Sequence, residues 1–204
     1  MPDDPYRSVR DRLALQRALP VTPDWSAAPD FLHRIIDHCL ERRPSLVLEC
    51  SSGLTTLVLA RCCQMNSGGH VYSLENGAEF ATATGAALAA FGLEQHATIV
   101  HAPLEAVTLQ ATEYNWYSTH QLPAGSIDML VIDGPPGFIQ KHSRYPALPL
   151  LYNRLASDCA VFLDDAGRDD EQEIVALWLN EFPCFDHEYS ALERGCSILR
   201  HHPR

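Results

Sequence analysis

The chain has 204 residues and a formal net charge of −11 at pH 7. This length suits one domain with a full core, and the acidic charge argues against non-specific nucleic-acid binding and against anionic membrane surfaces. Seven cysteines without a C-x-x-C pair indicate reduced thiols. No signal segment or membrane-spanning run is recognised. We therefore expect a cytoplasmic protein without a nucleic-acid or membrane partner.

Residues 1–25 are predicted to form an N-terminal helical appendage, and residues 26–204 a single domain. Val9 and Leu13 share one face of a helix that is predicted to end before Pro20. Two positions stay open for this helix: over the binding site, or packed on the outside of the sheet.

The rest of the chain alternates strand-like and helix-like segments and closes with a hairpin. This order predicts an α/β fold, a Rossmann-like doubly wound sheet of seven strands that is mostly parallel with a C-terminal antiparallel hairpin. The predicted strands are 45–49, 70–74, 97–101, 127–132, 160–163, 184–189 and 196–200.

The stretch Leu46–Thr56, LVLECSSGLTT, predicts a buried strand that turns into a helix at Gly53. The helix N-terminus offers N–H groups and the positive end of its dipole, and small residues such as Ser51 let a ligand approach the backbone. The dinucleotide fingerprint is not matched, because Ser51 and Thr56 stand at glycine positions. Glu49 would repel a pyrophosphate and would suit a ligand with cationic groups.

Glu75 ends the second predicted strand, 22 residues after Gly53. An acid at this position can accept both ribose hydroxyls of an adenosine cofactor. The alternative is that Glu75 is only a turn carboxylate before the next helix. Its spacing from Glu49 and Gly53 favours the role in cofactor binding. After the third strand, Pro103 and Leu104 are candidates for contact with an adenine.

The segment 109–125 is predicted to be long and irregular. Its aromatic residues would pack on a planar ligand or cover an exposed sheet edge. The fourth strand then ends in Asp133, followed by GPPG, which directs the chain out at the carboxyl edge of the sheet. Ligands of doubly wound sheets bind at that edge. The fifth strand ends there too, in Asp164 and Asp165.

Several of these motifs resemble those of the class I S-adenosylmethionine-dependent methyltransferases. LVLECSSGLTT resembles their motif I, with Ser51 and Thr55 in place of two glycines, and Glu75 matches motif II. VIDGPPG, RYPALPLL and VFLDDAGRDDE resemble a small bacterial branch related to the catechol and caffeoyl-coenzyme A O-methyltransferases, over about residues 26–200. The resemblance implies S-adenosylmethionine as cofactor, held by Glu49, Ser51, Gly53, Thr55, Glu75 and Asp133.

The same resemblance implies a Mg²⁺ or Ca²⁺ ion held by Asp133, Asp164 and Asp165, whose oxygens suit a hard cation. Asp165 stands where the related enzymes have Asn. Their lysine base, three residues after the first metal acid, is Pro136 here. The implied catalytic residues are therefore Asp133 and Lys141, which is the only lysine and would require the loop to fold back. The alternative is that Asp133 is a turn residue and Asp165 belongs to a loop.

These expectations describe O-methylation of a small hydroxylated acceptor by S-adenosylmethionine, with or without a divalent cation. Two other classes stay open. A nicotinamide-dependent oxidoreductase is disfavoured by Ser51 and Thr56, and a non-catalytic binding module would keep the fold without the chemistry. The expected partner is a small-molecule acceptor, and a homodimer stays open.

Overall fold

The structure is a computed structural model that describes residues 4–202. Its helices are α1 (Arg7–Arg12), α2 (Pro29–Arg42), α3 (Leu54–Met65), α4 (Ala78–Phe91), α5 (Ala147–Leu151), which continues into a short 3₁₀ turn (Tyr152–Arg154), and α6 (Asp169–Glu181). Its strands are β1 (Leu46–Cys50), β2 (His70–Glu75), β3 (Ala97–His101), β4 (Leu104–Leu109), β5 (Thr112–Tyr117), β6 (Ile127–Ile132), β7 (Leu155–Asp164), β8 (Phe185–Ser190) and β9 (Cys196–His201).

Seven strands form the main sheet in the order β3-β2-β1-β6-β7-β9-β8. The pairs from β3 to β7 are parallel, whereas β9 runs antiparallel to both β7 and β8. This is the predicted Rossmann-like sheet with its C-terminal antiparallel hairpin, and the prediction is confirmed. The strand order reverses between β1 and β6, which is where ligands bind in doubly wound sheets. None of the helices within 4–202 is long and apolar enough to cross a bilayer.

Burial explains the parallel centre of the sheet. All five residues of β1 are buried, and so are the last four of β6. Strands covered on both faces have no polar side to present to water, which is typical of parallel sheets. One buried cluster lies under α1, α2, α3 and α4, and a second lies under the β4–β5 hairpin, α5 and α6.

The prediction of an irregular segment 109–125 is wrong for its first half. β4 and β5 pair as a separate antiparallel hairpin, with Leu109 opposite Thr112. Its two-residue turn, Gln110–Ala111, has positive φ at both positions, 47° and 68°. That is the turn geometry that Asn-Gly usually signals, so the sequence carried no turn signal here. The hairpin is held by burial of its aromatic residues Tyr114, Trp116 and Tyr117.

The N-terminal helix packs on the domain. Val9 and Leu13 are fully buried and belong to the same hydrophobic cluster as α2 and α3. The Arg61 side chain also donates a hydrogen bond to the Leu13 carbonyl oxygen, at 2.9 Å. The helix therefore takes the second of the two positions that the sequence left open. The segment after this helix contributes Pro20, Thr22 and Trp25 to the lining of the cavities described below.

Because Leu13 is fully buried, we expect Leu13→Ala to lower the free energy of unfolding by about 2–5 kcal/mol, the range for large-to-small core substitutions. Val21→Ala is the control, since Val21 is exposed, and it should change stability by less than about 0.5 kcal/mol. Urea unfolding of both variants gives the measurement. Equal stability of Leu13→Ala and the wild type would mean that the N-terminal helix is not part of the core.

Candidate active site

The turn between β1 and α3 forms the floor of the site. Gly53 has φ of 150° and Ser51 has φ of 92°, a left-handed conformation that non-glycine residues rarely adopt. The Ser51 N–H bonds the Leu74 carbonyl oxygen at 2.9 Å, which ties the turn to β2. Backbone strain of this kind clusters at ligand sites. The first turn of α3 follows directly, and its N–H groups have no partners within the helix.

Glu75, at the end of β2, holds this turn from the side. Its carboxylate accepts hydrogen bonds from the Ser52 N–H at 3.0 Å, from the Ser52 hydroxyl at 2.8 Å and from the Gly77 N–H at 2.8 Å. A carboxylate has about four acceptor positions. One position therefore remains for a ligand hydroxyl, so this geometry leaves room for one ribose hydroxyl and not for both that the sequence predicts.

Glu49 lies beneath the turn and is fully buried. One of its oxygens accepts hydrogen bonds from the hydroxyls of Thr56, at 2.6 Å, and Ser73. The other oxygen has no hydrogen-bond partner in the described chain. Burial raises the pKa of the Glu49 carboxyl from 4.5 to about 7, although these hydroxyls partly oppose the rise. A direct contact of Glu49 with the cofactor is not supported by this geometry.

Two adjoining cavities open at the carboxyl edge of the sheet. The narrow cavity has a volume of about 370 Å³ and the wide cavity about 650 Å³. Of the predicted cofactor residues, those that line the narrow cavity are Ser51, Gly53, Thr55, Glu75 and Asp133. Neither Glu49 nor the adenine candidates Pro103 and Leu104 line either cavity. The residues that line both cavities are Trp25, Ser51, Asp133, Pro136 and Phe138.

Trp25 and Phe138 form an aromatic pair over the junction of the cavities, and the sequence interpretation missed both. Their ring centroids lie 6.3 Å apart, with the rings nearly perpendicular at 86°. Trp25 is 60% exposed and Phe138 80% exposed, so both rings present apolar surface to whatever fills the cavities. The available signal was a large aromatic residue in each of two proline-containing loops.

The three predicted metal ligands meet at the ends of β6 and β7. One oxygen each of Asp133, Asp164 and Asp165 lies within 4.8 Å of the others. Asp165 adopts the left-handed conformation, with φ of 57°, which Asn and Asp tolerate best. Burial and the neighbouring Asp165 charge raise the pKa of Asp164 to about 6. Burial, with Asp164 next in effect, raises the pKa of Asp133 well above its usual value.

Arg144 lies inside this cluster, and the sequence interpretation did not include it. The residue is 2% exposed, and its guanidinium donates to the carbonyl oxygens of Asp164 and Asp133, both at 2.9 Å, and to Asp165 Oδ2 at 2.9 Å. It also lies 3.5 Å from Asp133 Oδ1 and 3.7 Å from Glu171 Oε1. The three carboxylates suit a hard cation by ligand type. The space between two of them, however, is taken by a side-chain cation, so the cluster does not fit a divalent ion as it stands.

Lys141 lines the wide cavity, so the loop does fold back. Its ammonium pairs with Glu173 Oε2 at 2.7 Å, and this bond raises the pKa of Lys141. A lysine base needs a lowered pKa to be neutral near pH 7. The geometry therefore does not support Lys141 as the general base.

The comparisons with known proteins agree with this architecture. A family profile described as a methyltransferase domain matches residues 48–166, which is more than half of the chain. The chain belongs to this family of methyltransferase domains, and its fold and motifs are those of the class I S-adenosylmethionine-dependent group. No protein with a curated description matches the sequence.

Solved structures share the fold at low sequence identity. An SAH-bound methyltransferase of Podospora anserina is 14% identical with a TM-score of 0.70, over 98% of this chain and 89% of that chain. An O-methyltransferase of Bacillus cereus in complex with SAH is 14% identical with a TM-score of 0.68, over 98% and 92%. The SAM complex of the O-methyltransferase TomG from Streptomyces achromogenes is 11% identical with a TM-score of 0.65, over 96% and 87%.

Glu49→Gln is expected to weaken the pH dependence of stability. The folded protein keeps the Glu49 proton up to about pH 7, whereas the unfolded chain releases it near pH 4.5. The stability from this group is fully present below pH 4.5 and is lost as the pH rises through about 7, by up to about 3 kcal/mol. Thermal unfolding should therefore show a difference in melting temperature, variant minus wild type, that is larger at pH 8 than at pH 4.5 for Glu49→Gln.

Glu79→Gln is the matched control, because Glu79 is exposed on the first turn of α4. It should follow the wild-type pH profile. If Glu49→Gln follows that profile too, Glu49 is not held with a raised pKa.

Proposed function

We propose that the protein transfers a methyl group from S-adenosylmethionine to a hydroxyl of a small acceptor. The observation that carries this proposal is the junction of the two cavities at Ser51 and Asp133, beneath Trp25 and Phe138. Two adjoining cavities that share a wall of a few residues allow two substrates to meet with their reacting atoms aligned, which supplies much of the rate in transfer reactions. Membership of the methyltransferase-domain family supports the same assignment.

The narrow cavity is the compartment for the cofactor. Glu75 has an acceptor position for a ribose hydroxyl, and Ser51, Gly53 and Thr55 bring the backbone of the turn to the ligand. When bound there, S-adenosylmethionine supplies an electrophilic methyl group on a sulfonium centre. Phe80, which is exposed at the start of α4, adds an apolar surface for the adenine of the cofactor.

The wide cavity is the compartment for the acceptor. Its lining combines the aromatic rings of Trp25 and Phe138 with charged groups that include Arg168, Arg194 and Asp170. Rings can cover the flat face of a small molecule, and charged groups can bind its hydroxyls. This combination favours a polar, hydroxylated acceptor over a purely apolar one.

Asp133 is the acid at the point where the compartments meet. Its carboxylate, at the shared wall of the two cavities, would take the proton of the acceptor hydroxyl. Arg144, 3.5 Å from Asp133 Oδ1, holds that carboxylate in place. Trp25 and Phe138 would limit the access of water to the junction.

Glu75→Gln is expected to weaken S-adenosylmethionine binding by about 1.5–3 kcal/mol, because it removes a charge-assisted hydrogen bond to the ribose. The substitution keeps the size of the side chain and one carbonyl oxygen for the turn. Isothermal titration calorimetry with S-adenosylmethionine and with NAD gives the affinities, and NAD should not bind.

The control is again Glu79→Gln, because Glu79 is exposed and lines neither cavity. Unchanged affinity in folded Glu75→Gln would rule out the ribose contact. Binding of NAD in preference to S-adenosylmethionine would favour the oxidoreductase instead.

Asp133→Asn is expected to lower the rate of methyl transfer on the order of 10²–10⁴-fold, the usual contribution of a general base. Cofactor affinity should change little, because Glu75 and the turn are intact. The assay is a panel of small hydroxylated acceptors with methyl-labelled S-adenosylmethionine, followed by kinetics on the best acceptor.

Asp158→Asn serves as the control, since Asp158 is exposed and lines neither cavity, and it should leave the transfer rate unchanged. Transfer that is equally fast in Asp133→Asn would remove Asp133 as the base. If no hydroxylated acceptor is labelled although the cofactor binds, the non-catalytic binding module becomes the better account.

A further inference from the structure

The guanidinium of Arg144 spans the gap between two neighbouring strands. Its Nη1 bonds the carbonyl oxygen of Asp164, the last residue of β7, and its Nη2 bonds the carbonyl oxygen of Asp133, the residue after β6. Both distances are 2.9 Å. The planar guanidinium fork can hold two acceptors at once, which a lysine could not do with the same geometry. Arg144 thus joins the strand ends that carry the three clustered carboxylates.

The negative charge of the cluster is already opposed by arginines. Asp165 Oδ2 lies 2.9 Å from both Arg144 Nη2 and Arg168 Nη1, and Asp165 Oδ1 lies 3.8 Å from Arg194 Nη1. Arg144 also faces Glu171 at 3.7 Å. A buried carboxylate needs such pairing, because its own desolvation is costly.

One observation favours an ion, namely that two carboxylate oxygens of the cluster lack a donor. Asp164 Oδ2 and Asp165 Oδ1 are buried and have no hydrogen-bond partner within the described residues. A divalent ion at these oxygens would sit beside the guanidinium that bonds the same carboxylate, and the two like charges would repel. Waters can complete the shell of a hard cation, but Arg144 already occupies three of the protein oxygens nearest the cluster, namely Asp165 Oδ2 and both strand-end carbonyls.

We propose that Arg144 is the resident cation of this cluster, at the carboxylates for which the sequence resemblance implied a divalent ion, and that the protein binds no such ion there. Arg144 is then a positioning residue, which holds Asp133 at the junction of the cavities and fixes the ends of β6 and β7. The proposal deepens the proposed function and rests on it for the role of Asp133. Its claim about the ion stands on the geometry alone.

The test is ion binding by the full chain after treatment with a chelator. Mn²⁺ is the probe, because carboxylate sites that suit Mg²⁺ also accept Mn²⁺. Equilibrium dialysis, with electron paramagnetic resonance of the free ion, gives the number of ions bound up to about 1 mM, the upper range of weak carboxylate sites. We expect the wild type to show no bound ion and no rise in melting temperature with Mg²⁺, Ca²⁺ or Mn²⁺ that is lost in Asp133→Asn, a comparison that leaves aside the separate group His142, Asp170 and Glu173. One bound ion per chain that is lost in Asp133→Asn would overturn the proposal.

The complementary variant is Arg144→Met, which removes the charge and keeps much of the length. We expect this variant to gain an ion and a melting temperature that rises with Mn²⁺, an effect that a merely structural arginine would not produce. Arg144→Lys keeps the charge and should remain indifferent to the ion. If Arg144→Met folds and gains no ion response, Arg144 does not stand in for a cation.

The matched control is Arg154→Met, because Arg154 also donates to backbone carbonyls, at 2.7 Å for Gly125, but pairs with no acid among residues 4–202. It should show no ion response. Should Arg144→Met fail to fold, the wild-type measurement still decides the question. Failure of the proposed function would appear separately, as absent binding of S-adenosylmethionine in calorimetry.

Discussion

The parallel pairing of β1 with β6 is the constraint on which both cavities depend. Its register sets Cys50 opposite Ile132, and the Asp133 N–H bonds the Cys50 carbonyl oxygen at 3.1 Å. The segments that follow β1 and β6 then leave the sheet in different directions, because the strand order reverses here. Gly134 permits the close approach, since a Cβ at this residue would lie 2.9 Å from the Ser51 Cβ. The glycine turn and Asp133 are neighbours for this reason.

The same edge of the sheet holds several buried carboxylates, and the fold accommodates them in three ways. Glu75 is satisfied by backbone and hydroxyl donors of the turn that it supports. Glu49 has too few donors for both oxygens, so burial raises its pKa to about 7. Asp165 is paired with arginines, of which Arg144 is fully enclosed. Hydrogen bonding, protonation and ion pairing are the general solutions for a buried acid.

The cover of the site comes from segments outside the sheet. Trp25 precedes α2, and Phe138 lies in the loop after β6. The first of these segments is anchored by Val9 and Leu13 in the core beneath α2 and α3. Loops on a rigid scaffold can change in sequence without loss of the fold. These two aromatic positions can therefore vary without loss of the sheet beneath them.

The sequence by itself determined the succession of strands and helices in an α/β sheet and the edge at which Glu75 and Asp133 lie, because hydrophobic period and strand-ending acids are local signals that converge in a parallel sheet. Only the tertiary structure decided that the Glu49 side chain points beneath the turn and not into a cavity, since β1 is buried on both faces and shows no polar alternation. The hairpin turn at 110–111 had no residue signal. The insertion of Arg144 among acids from two strands is a long-range contact, and no spacing along the chain encodes it.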